Sequence, residues 1–285
     1  MIWVLTLSLV LAGVASVIST GNFYKDFPQI WYPSHVYTSA DGSLRSLKLD
    51  QESGSGCWTN EQVLFGLIDM QIKLVPGYSA GTVVTFYLIS SQTNRDEIDL
   101  EFLGNVTGQP YALQTNVYTD GHADREERVY LWFDPTKDFH NYSVLWNIHQ
   151  IVFMVDSLPI RTYRNHADKG VAFPINQPMS LHITLWNGDS WATRGGRDKI
   201  DWSKGPFMSS FRNYKIDACV WRGNTWSCVQ SSSTNWWNQN TFSSLTSKQR
   251  SSFNWVRKNY LIYDYCQDNQ RFQNNLPKEC NLPKY

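Results

Sequence analysis

The stretch that decides the reading is Asn94 to Thr107, "NRDEIDLEFLGNVT". Glu97, Asp99 and Glu101 fall at every second position, with Ile98, Leu100 and Phe102 between them. In a β-strand successive side chains point to opposite faces. The three acids therefore share one surface, and the three apolar residues face a core. A solvated strand face is the plain reading of such alternation. Three like charges with no Lys or Arg between them repel one another, however, and stabilise nothing. The segment needs a chemical purpose.

Retaining cleavage of a glycosidic bond supplies one. It requires a nucleophilic carboxylate and a protonated acid about 5–5.5 Å apart across the bond. Residues four apart on a strand have Cα atoms roughly 13 Å apart, so the outer Glu side chains must lean inward over Asp99. Asp99 can then hydrogen-bond one Glu and, by like-charge repulsion, hold its neighbour's proton.

The rest of the chain fits an exported protein that handles a neutral polymer. It opens "MIWVLTLSLVLAGVASVISTGN", an apolar run ending in small residues, which reads as a secretory signal over 1–20 with cleavage between Ala15 and Thr20. It is too short, and ends too softly, for a membrane anchor. The 25 basic and 25 acidic residues balance, so there is no basic stripe for nucleic acid. Thirteen Trp, 15 Tyr and 14 Phe fill a core for the most part and leave some rings as sugar platforms. Five cysteines suit an oxidising compartment. No CxxC pair occurs, and the six His show no ligand spacing, so neither metal nor cofactor is expected. Cys219, Cys228, Cys266 and Cys280 cluster late. Proximity suggests Cys219–Cys228 and Cys266–Cys280, although four cysteines allow three pairings; Cys57 stands alone.

"LFGLIDMQIKL" (64–74), "TVVTFYLI" (82–89), "YALQTNVYT" (111–119), "NYSVLWN", "QIVFMVD" and "MSLHITLW" are short strand patterns separated by turn residues, which indicates an antiparallel sandwich over 21–210. In "YALQTNVYT", Gln114 and Asn116 share one face and Leu113, Thr115 and Val117 the other. The tail, 211–285, differs: "LTSKQRSSFNWVRKNY" (245–260) places Leu245, Gln249, Phe253, Val256 and Tyr260 at helical steps, as an appendage stapled by disulfides.

"DEIDLEFLGN" resembles the ExDxE signature of glycoside hydrolase family 16, and in particular of the plant xyloglucan endotransglucosylase/hydrolases. "KLVPGYSAGTVVTFYL", "FLGNVTGQPYALQTNVYTDG", "LWFDPTKDFHNYSVLWN", "WATRGGRDKIDW" and "DWSKGPF" are similar to that family in the family's order, and the late cysteines resemble its C-terminal extension. The resemblance covers roughly Gly54 to Lys278 and implies an all-β, concanavalin-like jelly-roll sandwich. It implies Glu97 as nucleophile, Asp99 as helper and Glu101 as general acid/base. It also implies a glucan cleft formed by Gln114, Thr115 and Asn116, by Asp124, Arg125 and Glu126, and by the loop from Ser190 and Trp191 to Gly195 and Gly196. Arg271 in "QDNQRF" matches an Arg that the extension lends to the cleft. From the residues alone, Trp191 reads equally as core packing, and Arg125 as a surface ion pair with Glu126 or Glu127.

Transfer of a cut β-1,4-glucan to a xyloglucan acceptor is the implied activity, in the plant cell wall, by a monomer. Mainly hydrolytic members carry a longer loop where this chain has "TDGHADREERVY". Endo-hydrolysis is the enzymic alternative. A non-catalytic lectin is disfavoured, because binding does not call for three stacked carboxylates. The chain departs from the family at Arg95 (usually His), Leu100 (usually Phe), Cys57-Trp58 (usually Phe-Gln), Ser190 (usually acidic) and in "IWYPSHV". These departures bear on the donor: xyloglucan, mixed-linkage glucan or cellulose. Of two glycosylation sequons, Asn105-Val106-Thr107 matches the family's glycan position and is expected to be occupied; Asn141-Tyr142-Ser143 is expected to be bare.

Overall fold

The computed structural model describes residues 16–285, and side chains from residue 19 onward. The expected signal therefore falls almost wholly outside the described residues. Among the described residues no helix is long and apolar enough to cross a membrane.

The early strands are β1 (Ser16–Ile18), β2 (Gln29–Trp31), β3 (Val36–Thr38), β4 (Leu44–Leu49), β5 (Ser55–Trp58) and β6 (Val63–Lys73). The middle of the chain forms β7 (Thr82–Ser90), β8 (Glu97–Leu103), β9 (Ala112–Tyr118), β10 (Glu127–Tyr130) and β11 (His140–Trp146). Then come β12 (Gln150–Val155), β13 (Leu158–Arg164), β14 (Met179–Asn187), β15 (Phe207–Val220) and β16 (Leu261–Asp264). Pairing is antiparallel throughout. One layer runs β2-β5-β14-β7-β8-β9-β10-β16, and the other is built on β13-β12-β11-β6-β15-β4. The two make a β-sandwich with a helix and two disulfides toward the C-terminus. Between the layers lie Ile98, Leu100 and Phe102 of β8, all fully buried, and Phe102 meets Tyr142 of β11 edge-on at 4.6 Å. Each such side chain stabilises the fold by about 1.5–3 kcal/mol. That burial outweighs the repulsion among the acids on the strand's other face.

Strand β15 runs unbroken through residue 210, so a boundary placed there cuts a strand; we propose the boundary after Val220 instead. Beyond it the chain is fastened to the sandwich. Disulfides join Cys219 to Cys228 and Cys266 to Cys280. Helix α1 (Ser247–Tyr260) starts at a capping box between Thr246 and Gln249 and buries Phe253 and Val256. It packs on β13 and β10. Arg257 bonds Glu127 of β10 and Asp264 of β16 (2.5 Å to the latter), and Lys284 joins the same two acids at 3.4 and 2.8 Å. Both acids are almost fully buried, where an unpaired charge would be costly; the two cations thus hold β16 onto the edge of the acid-bearing layer. Cys57 is free and buried, and burial pushes its thiol up to about 11, which leaves it inert.

Candidate active site

The register across the layer defines the site. Asp99 lies opposite Asn116 of β9 on one side and Tyr87 of β7 on the other; His182 of β14 follows Tyr87, and Trp58 of β5 follows His182. The neighbouring row runs Gln114, Glu101, Thr85, Thr184, Gly56 and Trp31. A polymer lying across the strands would meet the acids midway.

The three carboxylates differ in environment. Asp99 is buried, with Oδ1 lacking a partner. Burial first, then the charges of Glu97 and Glu101, push it well above the carboxylate range, so it holds a proton that it can donate to Glu97. Glu101 is pushed up to about 7. Burial is the main cause and the Glu97 and Glu126 charges add to it, while the Gln114 amide, donating to Glu101 Oε2, and the Arg128 charge oppose it. Glu97 accepts from Arg95 Nε at 2.5 Å. The strand thus carries one carboxylate paired with a cation and two that retain protons. Such a split is what acid-plus-nucleophile chemistry needs.

On the β9 side, Gln114 also accepts from Arg128 Nε at 2.6 Å, and Arg128 lies over the Tyr263 ring of β16. Arg271 bonds Asp124 at 2.5 Å, Glu126 at 2.6 Å and the Tyr263 hydroxyl at 3.1 Å. Asn116 accepts the backbone N–H groups of Val117 and Arg125 through Oδ1, which orients its amide. Trp191 sits 6.0 Å from Trp186, ring to ring, with Ser190 and Gly195 exposed in the same loop.

Two expected cleft residues are elsewhere. Thr115 faces the core, where its carbonyl and hydroxyl accept from Arg161 at 2.7 and 3.0 Å, as strand alternation requires with Gln114 and Asn116 turned to the cleft. Arg125 is committed to Glu279 at 2.7 Å and to the Val117 and His122 carbonyls, with Tyr163 beneath it. It ties the extension to the sandwich rather than lining the cleft, and neither Glu126 nor Glu127 is its partner. Arg128 and Tyr263 were not singled out from sequence. Arg128 depends on the β9–β10 register and Tyr263 on the β10–β16 register. As for metals, His35, Asp50 and Glu52 lie close together away from the acid strand, and Lys48 already bonds Asp50 at 2.8 Å.

Residues 23–204 match the model of the glycosyl hydrolases family 16, and residues 231–280 that of the xyloglucan endo-transglycosylase (XET) C-terminus. The chain belongs to family 16. It is 67% identical to the probable xyloglucan endotransglucosylase/hydrolase protein 10 of Arabidopsis thaliana, over 95% of this chain and 91% of that one. To xyloglucan endotransglucosylase protein 34 of Populus tremula x Populus tremuloides it is 50% identical, covering 90% and 87%. A prokaryotic β-1,3-1,4-glucanase (lichenase) from a mouse hindgut metagenome shares the fold, with TM-score 0.54, 24% identity, and 68% and 87% coverage.

Proposed function

We propose that this family 16 enzyme cuts the β-1,4-glucan backbone of xyloglucan with retention and passes the fragment to a second xyloglucan chain outside the cell. One observation carries the chemistry: a single strand offers Glu97 paired with a cation and Glu101 holding its proton up to about 7. In this reading Glu97 attacks the anomeric carbon while Glu101 protonates the departing oxygen. Asp99 hydrogen-bonds Glu97. Glu101, now ionised, then takes the proton of the incoming hydroxyl.

Transfer rather than hydrolysis is supported by the β9–β10–β16 flank. Gln114, Arg128, Tyr263 and Arg271 form a connected polar wall that starts at Glu101 and can seat an acceptor glucan ahead of water. Incubation of polymer with fluorescent xyloglucan oligosaccharide tests this. Label should enter high-mass material without a matching rise in reducing ends; a stoichiometric rise in reducing ends would make the enzyme an endo-hydrolase.

The donor side is a groove of about 660 Å³ whose lining includes Trp31, Tyr32, Trp58, Tyr87, His182 and Trp186. Trp58 and His182 stack with planes 8° apart, and burial pushes His182 down to about 4, so the floor is uncharged. Aromatic faces suit the C–H faces of glucosyl rings. We infer that Trp58 extends donor use to unbranched β-glucans. Ser190 does not line this groove, so the inference rests on Trp58 alone.

A further inference from the structure

Arg95 stands where the family resemblance leads one to expect His, immediately before the acid strand. It shares the acids' face because it lies two residues before Glu97. Its Nε donates to Glu97 Oε2 at 2.5 Å, and its guanidinium lies over the Tyr118 ring at 5.2 Å. Tyr118 is the cross-strand neighbour of Glu97, so the arginine is held from below by a ring and in front by the carboxylate. The turn that carries it is fixed as well. The Ser90 hydroxyl accepts the Asp96 N–H at 2.9 Å, Asp96 Oδ1 accepts the Asp120 N–H at 2.8 Å, and the Arg95 carbonyl accepts the Gly121 N–H at 2.9 Å. The other ionisable groups facing Glu97 are Asp99 and Glu101 on its own strand, Tyr87 on β7 and Tyr118 on β9. Arg95 is the one cation among them.

We propose that Arg95 is a positioning residue that speeds breakdown of the glycosyl-enzyme by stabilising Glu97 as the departing carboxylate. The proposal rests on Glu97 being the nucleophile. Held at Oε2, the side chain leaves Oε1 to reach the anomeric carbon. In the first step the Glu97 charge is spent in forming the C–O bond, so the Arg95 pairing is weakened on the way to the ester. In the second step the acceptor hydroxyl oxygen bonds to the anomeric carbon, and its proton passes to the Glu101 carboxylate. The C–O bond to Glu97 breaks, and its electron pair returns as carboxylate charge beside the guanidinium. The cation therefore disfavours ester formation and favours ester cleavage. An interaction that strengthens only as charge returns lowers the barrier to the second step alone. Because charge-assisted hydrogen bonds to carboxylate are the strong ones, losing this one should be visible in that step.

An aryl β-glycoside of a xyloglucan oligosaccharide separates the two steps, because release of its phenol reports only the first. With Arg95→Gln we expect a burst of phenol equal to the enzyme present, at a rate no lower than wild type. Steady-state turnover should follow about tenfold slower or more, with the glycosyl adduct accumulating in the intact mass. Arg95→Lys, which keeps the charge, should recover most of the turnover. A structural role alone would slow both steps and lower the thermal midpoint; that outcome, or unchanged turnover in Arg95→Gln, overturns the proposal. If Glu97→Ala turned over normally in the same assay, the assignment of the nucleophile would fail instead.

Discussion

Glu101→Gln should stabilise the protein above neutral pH and leave it unchanged in acid. In the folded chain burial raises Glu101 from 4.5 to about 7, so between those values folding takes up a proton. Stability from this group is therefore fully present below pH 4.5 and declines as pH rises through about 7. At about 1.4 kcal/mol per pH unit, that gap corresponds to about 3 kcal/mol. Glu101 keeps some solvent contact, which screens its charge, so about 2 kcal/mol is the reasonable expectation. Glutamine removes the ionisation and can still accept the Gln114 N–H. Thermal melts of wild type and variant from pH 4 to 8.5 should coincide near pH 4.5. They should separate by about 5 °C at pH 8, with the variant higher. A difference that did not vary with pH, or a less stable variant at pH 8, would refute burial as the cause of the raised carboxyl.

Four further outcomes follow from the same geometry. Glu97→Ala should lose transfer and hydrolysis together, to below about a hundredth of wild type; Glu101→Ala should fail on glucans yet recover on substrates whose leaving group needs no proton, both read by label transfer and phenol release. Trp58→Gln should lower activity on an unbranched β-glucan donor relative to xyloglucan by at least several-fold, the size of a contact worth about 1 kcal/mol; an unchanged donor ratio would remove Trp58 from donor selection. Asn105 should carry a glycan and Asn141 none, because Thr107 is exposed in a turn whereas Ser143 is buried and Asn141 bonds Asp69 and Ser143 from a strand paired on both sides. Peptide mapping of plant-expressed protein with and without deglycosylation would read both sites.

The acid strand was legible because alternation is local. Period two in residues 97–102 gives both the core face and the catalytic face without reference to any other strand. The same rule turns Thr115 inward, and only the motif match argued otherwise. What could not be read was register. Tyr263 reaches the cleft because β16 pairs with β10, and that pairing depends on Arg257 and Lys284, which bond Asp264 of β16, also meeting Glu127 of β10, 130 and 157 residues away. Arg125 sits between Asp124 and Glu126 in sequence, but its partner is Glu279, 154 residues on. Arg95 departs from the family pattern in the sequence, but its contact with Glu97 is set by the fold of the turn before β8.

If Glu97 forms a covalent glycosyl-enzyme which Glu101 helps to make and unmake, the ester can be trapped. Incubation with a slow 2-fluoro xyloglucan oligosaccharide bearing a good leaving group, followed by digestion and peptide mass mapping, tests it directly. One adduct per enzyme is expected, on the peptide that contains Glu97 and fragmented to that residue, and chased off by xyloglucan oligosaccharide acceptor. An adduct on another carboxylate, or steady turnover with no adduct, would contradict it.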